Sequence, residues 1–372
     1  MEGYPSWPVT RKELQPFYDE AASFCKLHGA NFSAEYWAQV LEAKVPDLPG
    51  FEVAMYQFMG GQYLNFANRT VDGQTLADSK IDVIRNASLL SIDYQQGSAQ
   101  RLNVASIESG DNPSAATQFS IRADAYVLAC GAVANARQLL LSDLNQSGKV
   151  GRYFMCHPLT SGVVSVTKPY LSTDEKRLMD GTKPNGQQWT DSNGVRVTGR
   201  FIPNADTTRQ LDIGRCWFWA NYNHYYFEQA PNPNSYITLG DGTDPVFGQP
   251  QTDIIWEFCD LDEKTYNATT QLFQKDVSDR GGSVSFQSWS YVKANAVVNG
   301  HHLGTTRMSV DPADGVVDSN LRSHELNNLY VAGSSVWPSA GISNPTHTII
   351  MFAIRLASHL SQEFGASGGA AD

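Results

Sequence analysis

Towards the C-terminus, Ile350, Ala353, Ile354, Ala357 and Leu360 recur at three- and four-residue spacing, which gathers them on one helix face. Asn344 suits the N-cap of that helix and Pro345 its first helical position. Upstream, Leu329 to Gly333 reads as a strand running into the turn Gly333-Ser334-Ser335. Strand, glycine turn and helix start in this order leave free backbone N–H groups at the positive end of a dipole, which suits phosphate or a developing anion. At the other end of the chain, Thr10 with Glu13 three residues later is a capping-box pattern. It predicts a helix over 11–27 that holds Pro16 in its first turns. Pro46, Pro49 and Gly50 mark a loop before a strand-like stretch at 51–58, and 63–77 reads as a further short helix.

Between 81 and 150 the pattern changes. Short runs at 81–86, 89–94, 102–107 and 119–121, separated by turn residues, predict a meander of strands. Residues 124–132 form a continuous apolar run, the mark of a strand covered on both faces, and a helix over 135–144 completes a strand–turn–helix unit. From 151 to 295, alternation and aromatics predict strands at 161–166, 194–202, 214–226, 235–239 and 252–259. These are expected to form a large antiparallel sheet with a helix at 262–280 on one side. The fold class expected is α/β, of the mixed α+β kind.

The length, 372 residues, points to two lobes with a substantial core. Hydrophobic residues make up 41% and mean hydropathy is −0.33, as in an ordinary soluble protein. The net charge of −11 argues against nucleic acid and anionic membrane as partners. No apolar run approaches a membrane span of about 20 residues. The N-terminus lacks the basic and apolar regions of a signal peptide, so the cytoplasm is the expected location. Cys25, Cys130, Cys156, Cys216 and Cys259 are odd in number and widely spaced, which fits reduced structural thiols rather than a disulfide framework or a zinc site. N-x-[ST] sequons begin at Asn31, Asn68, Asn86, Asn145 and Asn267, but an Asn-rich chain gives several by accident.

Two polar clusters stand out about forty residues apart: His301-His302 and Asn344. Taken alone, His301 reads as a loop histidine bonded to backbone. A metal pair is disfavoured, since adjacent strand residues face opposite ways and no third ligand is evident. Asn344 serves as a cap in the plainest reading. His157 and His347 read as core or supporting histidines. Trp217, Trp219, Tyr222, Tyr225 and Tyr226 read mostly as core, although sugar sites use such faces too. Asp241-Gly242-Thr243-Asp244 reads as a turn, because the later ligands of a calcium loop are absent. No G-x-S-x-G elbow is present, which argues against a serine hydrolase.

His301-x-x-Gly304-Thr305, then Asn327-Asn328-Leu329-Tyr330-Val331-Ala332-Gly333-Ser334-Ser335, then Ser343-Asn344-Pro345-Thr346, resembles the C-terminal signature of the glucose–methanol–choline (GMC) flavin oxidoreductases. Trp7-Pro8 with Leu14-Gln15-Pro16-Phe17-Tyr18, the run Tyr126 to Ala132 with the segment to Ser142, and Gly151 to Pro158 are similar to further family segments. Thr305-Thr306-Arg307-Met308 with Asn344-Pro345-Thr346 leans towards the sugar dehydrogenase and pyranose oxidase branch.

The resemblance implies a partial FAD-binding doubly wound domain plus a substrate domain with a large antiparallel sheet. Its division would be 1–80 (start of the substrate domain and linking helices), 81–150 (FAD-domain meander, strand and helix), 151–295 (substrate sheet), 296–364 (C-terminal FAD-domain segment with the active site) and a flexible tail at 365–372. It implies FAD as cofactor and an alcohol or sugar as substrate, with His301 as base and Asn344 as its partner. Cofactor contacts would come from Leu89, Ala129, Gly131, Gly333, Ser334, Asn344, Pro345 and Thr346. The family's G-x-G-x-x-G turn does not occur in these 372 residues. Either the chain is truncated, or a companion chain in a hetero-oligomer completes it, or the protein no longer uses FAD in the usual way; a companion chain is the expectation taken here. Otherwise the strand at 126–132 would lack its neighbour and expose an apolar edge. The other reading is a non-catalytic subunit that keeps the scaffold for binding or assembly.

Overall fold

The computed structural model describes residues 4–61, 81–106, 117–219 and 224–365, with the side chains of 219 and 224 left aside. Helix α1 (Arg11–Phe24) starts on the expected capping box: the Thr10 hydroxyl accepts from the Glu13 N–H, and the Glu13 carboxylate accepts from the Thr10 N–H. It ends three residues short of the expected bound and takes Pro16 in its second turn, with one backbone bond forgone. Helix α2 (Ala34–Val40) and strand β1 (Phe51–Phe58) follow. The expected helix at 63–77 lies outside the described residues.

Strands β2 (Ala87–Gln95), β3 (Ser98–Ser106) and β4 (Thr117–Ile121) form the antiparallel meander in that order. Its expected first strand, 81–86, is irregular chain instead. Ile81, Val83 and Ile84 are 59%, 58% and 57% exposed there, so no packed face rewards their pattern.

Strand β5 (Tyr126–Leu128) runs into helix α3 (Ala132–Leu141). The expectation that this strand is covered on both faces is corrected: burial alternates along it, and Val127 is 43% exposed. Among the described residues its one strand neighbour lies on one edge only, so part of its apolar surface stays open.

Next come β6 (Val164–Lys168), α4 (Thr173–Asp180), β7 (Arg196–Pro203), α5 (Ala205–Leu211), β8 (Cys216–Trp219) and β9 (His224–Phe227). They are followed by β10 (Tyr236–Thr243), β11 (Pro250–Ile255), α6 (Asp260–Asp279), β12 (Ser283–Phe286) and α7 (Trp289–Asn295). Strand β13 (Leu329–Val331) and helix α8 (Thr346–Gly365) close the described chain. The antiparallel sheet has the order β1-β7-β8-β9, the stretch 214–226 being a hairpin rather than one strand. The other expected strands pair separately, as ribbons β10-β11 and β6-β12. Asp244 is a turn residue as read: its carboxylate accepts from the N–H groups of Val246, Phe247 and Gln249 in the β10-β11 hairpin.

Two apolar clusters hold this together. One packs α1, α3 and α8 around the parallel pair β5-β13, with Leu128, Leu139, Tyr330, Val331 and Phe352 buried. The other packs α6 on the four-stranded sheet, where Phe218 stacks on Phe273 at 4.4 Å. No helix among the described residues is long and apolar enough to cross a membrane.

Candidate active site

The register of two short backbone segments builds the site. Met155 and Leu303 exchange backbone hydrogen bonds of 3.1 and 2.9 Å as an antiparallel bridge. Two residues beyond the bridge, His157 and His301 fall directly opposite each other, and their Nδ1 atoms are 3.0 Å apart. Asn299 ties the two segments again: its Nδ2 donates to the His157 carbonyl, and its Oδ1 accepts from the His301 N–H, both at 3.0 Å.

Hydrogen bonds then fix the protons. His157 is buried, and its Nε2–H donates to the Gly341 carbonyl at 2.9 Å. Neutral imidazole has one donor nitrogen, so His157 Nδ1 must be an acceptor. It accepts from His301 Nδ1–H, which leaves the lone pair of His301 on Nε2. Asn344 Nδ2 points at that lone pair from 3.2 Å. Burial, with His301 beside it, pushes the His157 pKa down to about 4, so the ring stays neutral and keeps this pattern. Burial, with His302 as a lesser cause, lowers the His301 pKa as well. The result is a neutral imidazole whose lone pair faces a cavity and accepts from the Asn344 amide, which a substrate hydroxyl would replace; the pair can then accept the hydroxyl proton and hold the oxygen left behind.

His301 and Asn344 thus come together across 43 residues. The helix after Asn344 begins at Thr346, one residue later than expected. His302 faces away, its ring 5.5 Å from that of Phe154. The pair opens on a cavity of about 250 Å³. His157, His301, Ile342 and Asn344 form one wall; Phe58, Arg200, Trp217 and Tyr226 from the sheet strands form the other. Trp217 and Tyr226 stack at 4.3 Å, and the Arg200 guanidinium lies 5.1 Å from the Trp217 ring. A larger groove of about 690 Å³ on the meander includes Asp93 and Arg101, which neutralise each other at 2.7 Å; it holds no such acid–base pair.

Gly131 and Gly333 end the two parallel strands and open α3 and a 3₁₀ turn (Ser334–Val336). Their φ values are +84° and +106°, and a Cβ on either would meet nothing within 4 Å. Ala129 and Gly131 are exposed at the strand end. Asn135 joins the two turns: its Oδ1 accepts from the Cys130 N–H, and its Nδ2 donates to the Ala332 carbonyl and Ser335 Oγ. Ser334 Oγ donates to the His302 carbonyl at 2.6 Å, which connects the glycine turn to the base segment. Leu89 sits on β2, opposite Val104, and its contacts join the core around β5.

Sequence reasoning missed His157 as the ring touching His301, and Phe58 and Arg200 as cavity walls. It also took Trp217 and Tyr226 mostly for core. Tyr225, one residue from Tyr226, is core. The side chains of Trp219 and Tyr222 lie outside the description. The one available signal for His157 was its position in the family-like segment Gly151 to Pro158.

Residues 233–353 match the model of the GMC oxidoreductase family. Among curated proteins, the chain is similar to the fructose dehydrogenase large subunit of Gluconobacter japonicus, at 27% identity over 35% of this chain and 23% of that one. It is also similar to the 2-methyl-1,2-propanediol dehydrogenase of Mycolicibacterium austroafricanum, at 21% identity over 98% of this chain and 76% of the relative. Among solved structures, an FAD-dependent oxidoreductase from Chaetomium thermophilum shares the fold with a TM-score of 0.63 and 16% identity, covering 98% of this chain and 82% of that one.

Proposed function

We propose that the chain forms the substrate-binding and C-terminal flavin-facing parts of an FAD-dependent oxidoreductase that oxidises a hydroxyl group of a sugar or polyol. The observation carrying this reading is Asn344 Nδ2 at 3.2 Å from His301 Nε2, on the wall of a cavity. Relatives whose names include a fructose and a propanediol dehydrogenase support the substrate class.

The residues present fit one flank of FAD. Gly131 and Gly333 leave open space at the C-terminal ends of adjacent parallel strands, where doubly wound sheets take their ligands. Neither α3 nor the 3₁₀ turn after Gly333 has a side-chain cap, so backbone N–H groups remain for an anion. In this reading Leu89, Ala129 and Gly131 meet the adenine side. Gly333, Ser334, Asn344, Pro345 and Thr346 face the rest of the cofactor. Bound FAD supplies the hydride acceptor.

The chain's own residues do the remainder. His301 Nε2 takes the proton of the substrate hydroxyl while Asn344 Nδ2 donates to the oxygen as negative charge grows there. Half-buried Tyr226, backed by the buried Trp217, lines the cavity where a sugar ring or polyol chain would sit. The glycine turn of the dinucleotide site is not among these 372 residues; a further strand–G-x-G-x-x-G–helix segment would supply it and cover the open edge of β5.

The test is the flavin absorbance of the purified chain, with and without a companion polypeptide carrying strand–G-x-G-x-x-G–helix. Flavin and sugar-dependent bleaching are expected only in the assembled form. Stoichiometric FAD and full turnover in the isolated chain would overturn the companion; an assembled complex that takes no flavin would overturn the whole reading.

A further inference from the structure

We propose that Glu228, the residue after β9, is a positioning residue that decides which nitrogen of His301 carries the lone pair, acting through Gly341 and His157. The inference rests on the reading of His301 as base, and it adds a residue that touches neither substrate nor cofactor.

Glu228 is 4% exposed, and its Oε1 accepts from the Gly341 N–H at 2.7 Å. The carbonyl of the same Gly341 accepts from His157 Nε2–H at 2.9 Å. Gly341 has φ +67° and no Cβ contacts to restrain it, so its carbonyl points where its neighbouring bonds hold it. The bonds that hold it come from the β8-β9 hairpin and, more weakly, from the Tyr56 hydroxyl of β1, 3.5 Å from the Ile342 carbonyl. Glu228 grips the N–H on one side, and Trp217 Nε1–H grips the Ile342 carbonyl on the other at 2.9 Å. Glu228 is itself fixed by its own N–H, which donates to the Arg215 carbonyl at 2.8 Å.

The sequence of effects is therefore short. If Gly341 turns, it carries the adjoining Ala340 with it, and His157 loses the backbone acceptors that keep its proton on Nε2; a proton on Nδ1 would then face His301 Nδ1–H. One ring must then change tautomer, and His301 presents an N–H instead of a lone pair to the cavity. Burial raises the Glu228 pKa, and the Gly341 N–H opposes that rise. A carboxyl oxygen accepts this bond whether or not the group is ionised. A buried acid is expensive when packing is all that is needed; here its acceptor has a structural task that an apolar side chain cannot perform.

The experiment is long-range ¹H–¹⁵N correlation on protein labelled with ¹⁵N only in histidine, at neutral pH. Wild type is expected to show His157 with its proton on Nε2 and His301 with its proton on Nδ1. Glu228→Leu removes the acceptor and should shift His301 to a mixture with a clear Nε2–H population, whereas Glu228→Gln keeps an acceptor and should retain the wild-type signature. In the assembled enzyme, E228L should lower kcat roughly tenfold with KM unchanged, about the effect of one hydrogen bond. A wild-type His157 protonated on Nδ1 would overturn the proposal without any variant. So would tautomers unchanged in folded E228L, or the same shift in E228Q. If instead H301Q retains full turnover while E228L still shifts the tautomers, the base assignment fails and the positioning role stands.

Discussion

His157 and His301 are 144 residues apart in the chain, yet their Nδ1 atoms lie within hydrogen-bond distance at 3.0 Å. The contact makes the two rings a single protonation unit, with the proton of one fixed by the carbonyl that the other touches. Replacing His157 by Leu should leave cofactor binding intact and release His301 to both tautomers. The expected result is a fall in kcat of about tenfold, the loss of one hydrogen bond, with KM little changed. Steady-state kinetics of the assembled enzyme checks it.

Burial and the neighbouring His302 place the His301 pKa below the ordinary 6.5. A base works only when deprotonated, so kcat/KM should be level at neutral pH and fall on the acid side with an apparent pKa below 6.5. His302→Gln should move that limb upward, since it removes one cause of the lowering. An acid limb above 6.5 would contradict the assignment.

His157 affects stability with a definite sign. Its folded pKa of about 4 lies below the 6.5 of an ordinary histidine, so the unfolded chain binds the proton first as pH falls. Its contribution is complete above pH 6.5 and is lost as the pH falls towards 4. Relative to His157→Gln, wild type should lose about 3 kcal/mol across that window. Denaturant unfolding of both proteins at several pH values measures the difference; a constant difference would contradict it.

Gly304 sets how closely the two histidine segments approach. Its φ is +86°, and a Cβ there would collide with the Tyr153 carbonyl. Gly304→Ala should destabilise by about 2 kcal/mol or more and widen the His157–His301 distance. Thermal melting and the histidine NMR signature should change together.

Away from the site, the Arg280 guanidinium is 2.8 and 2.7 Å from the two oxygens of Glu175, which is buried and also belongs to the capping box of α4. Arg280→Ala leaves that carboxylate without its charge partner and should cost about 3 kcal/mol. Unfolding should register this, while the pH profile of turnover should not move.

Much of this was legible in the chain because the signals were local. Thr10 and Glu13 announce α1, and the apolar face from Ile350 to Leu360 announces α8. From its position alone Asn344 reads as a helix cap; its place beside His301 was implied by the resemblance of Ser343-Asn344-Pro345-Thr346 to the family signature. What stayed hidden depends on pairing between distant segments. Nothing near His157 says that Met155 will bridge to Leu303, and so nothing says that the two rings will face each other. Alternation in 214–226 marks strand residues but not which face meets α6 and which meets the cavity, so Tyr225 and Tyr226 looked alike. The run Ile81-Asp82-Val83-Ile84 carries a strand's composition without a packed surface to meet.

The most direct test is anaerobic bleaching of flavin absorbance by a sugar or polyol in the assembled enzyme, comparing wild type with His301→Gln and Asn344→Ala. With flavin content equal in all three, bleaching should slow by about 10²–10⁴-fold in H301Q and about 10²-fold in N344A. Bleaching of H301Q at the wild-type rate would contradict the account.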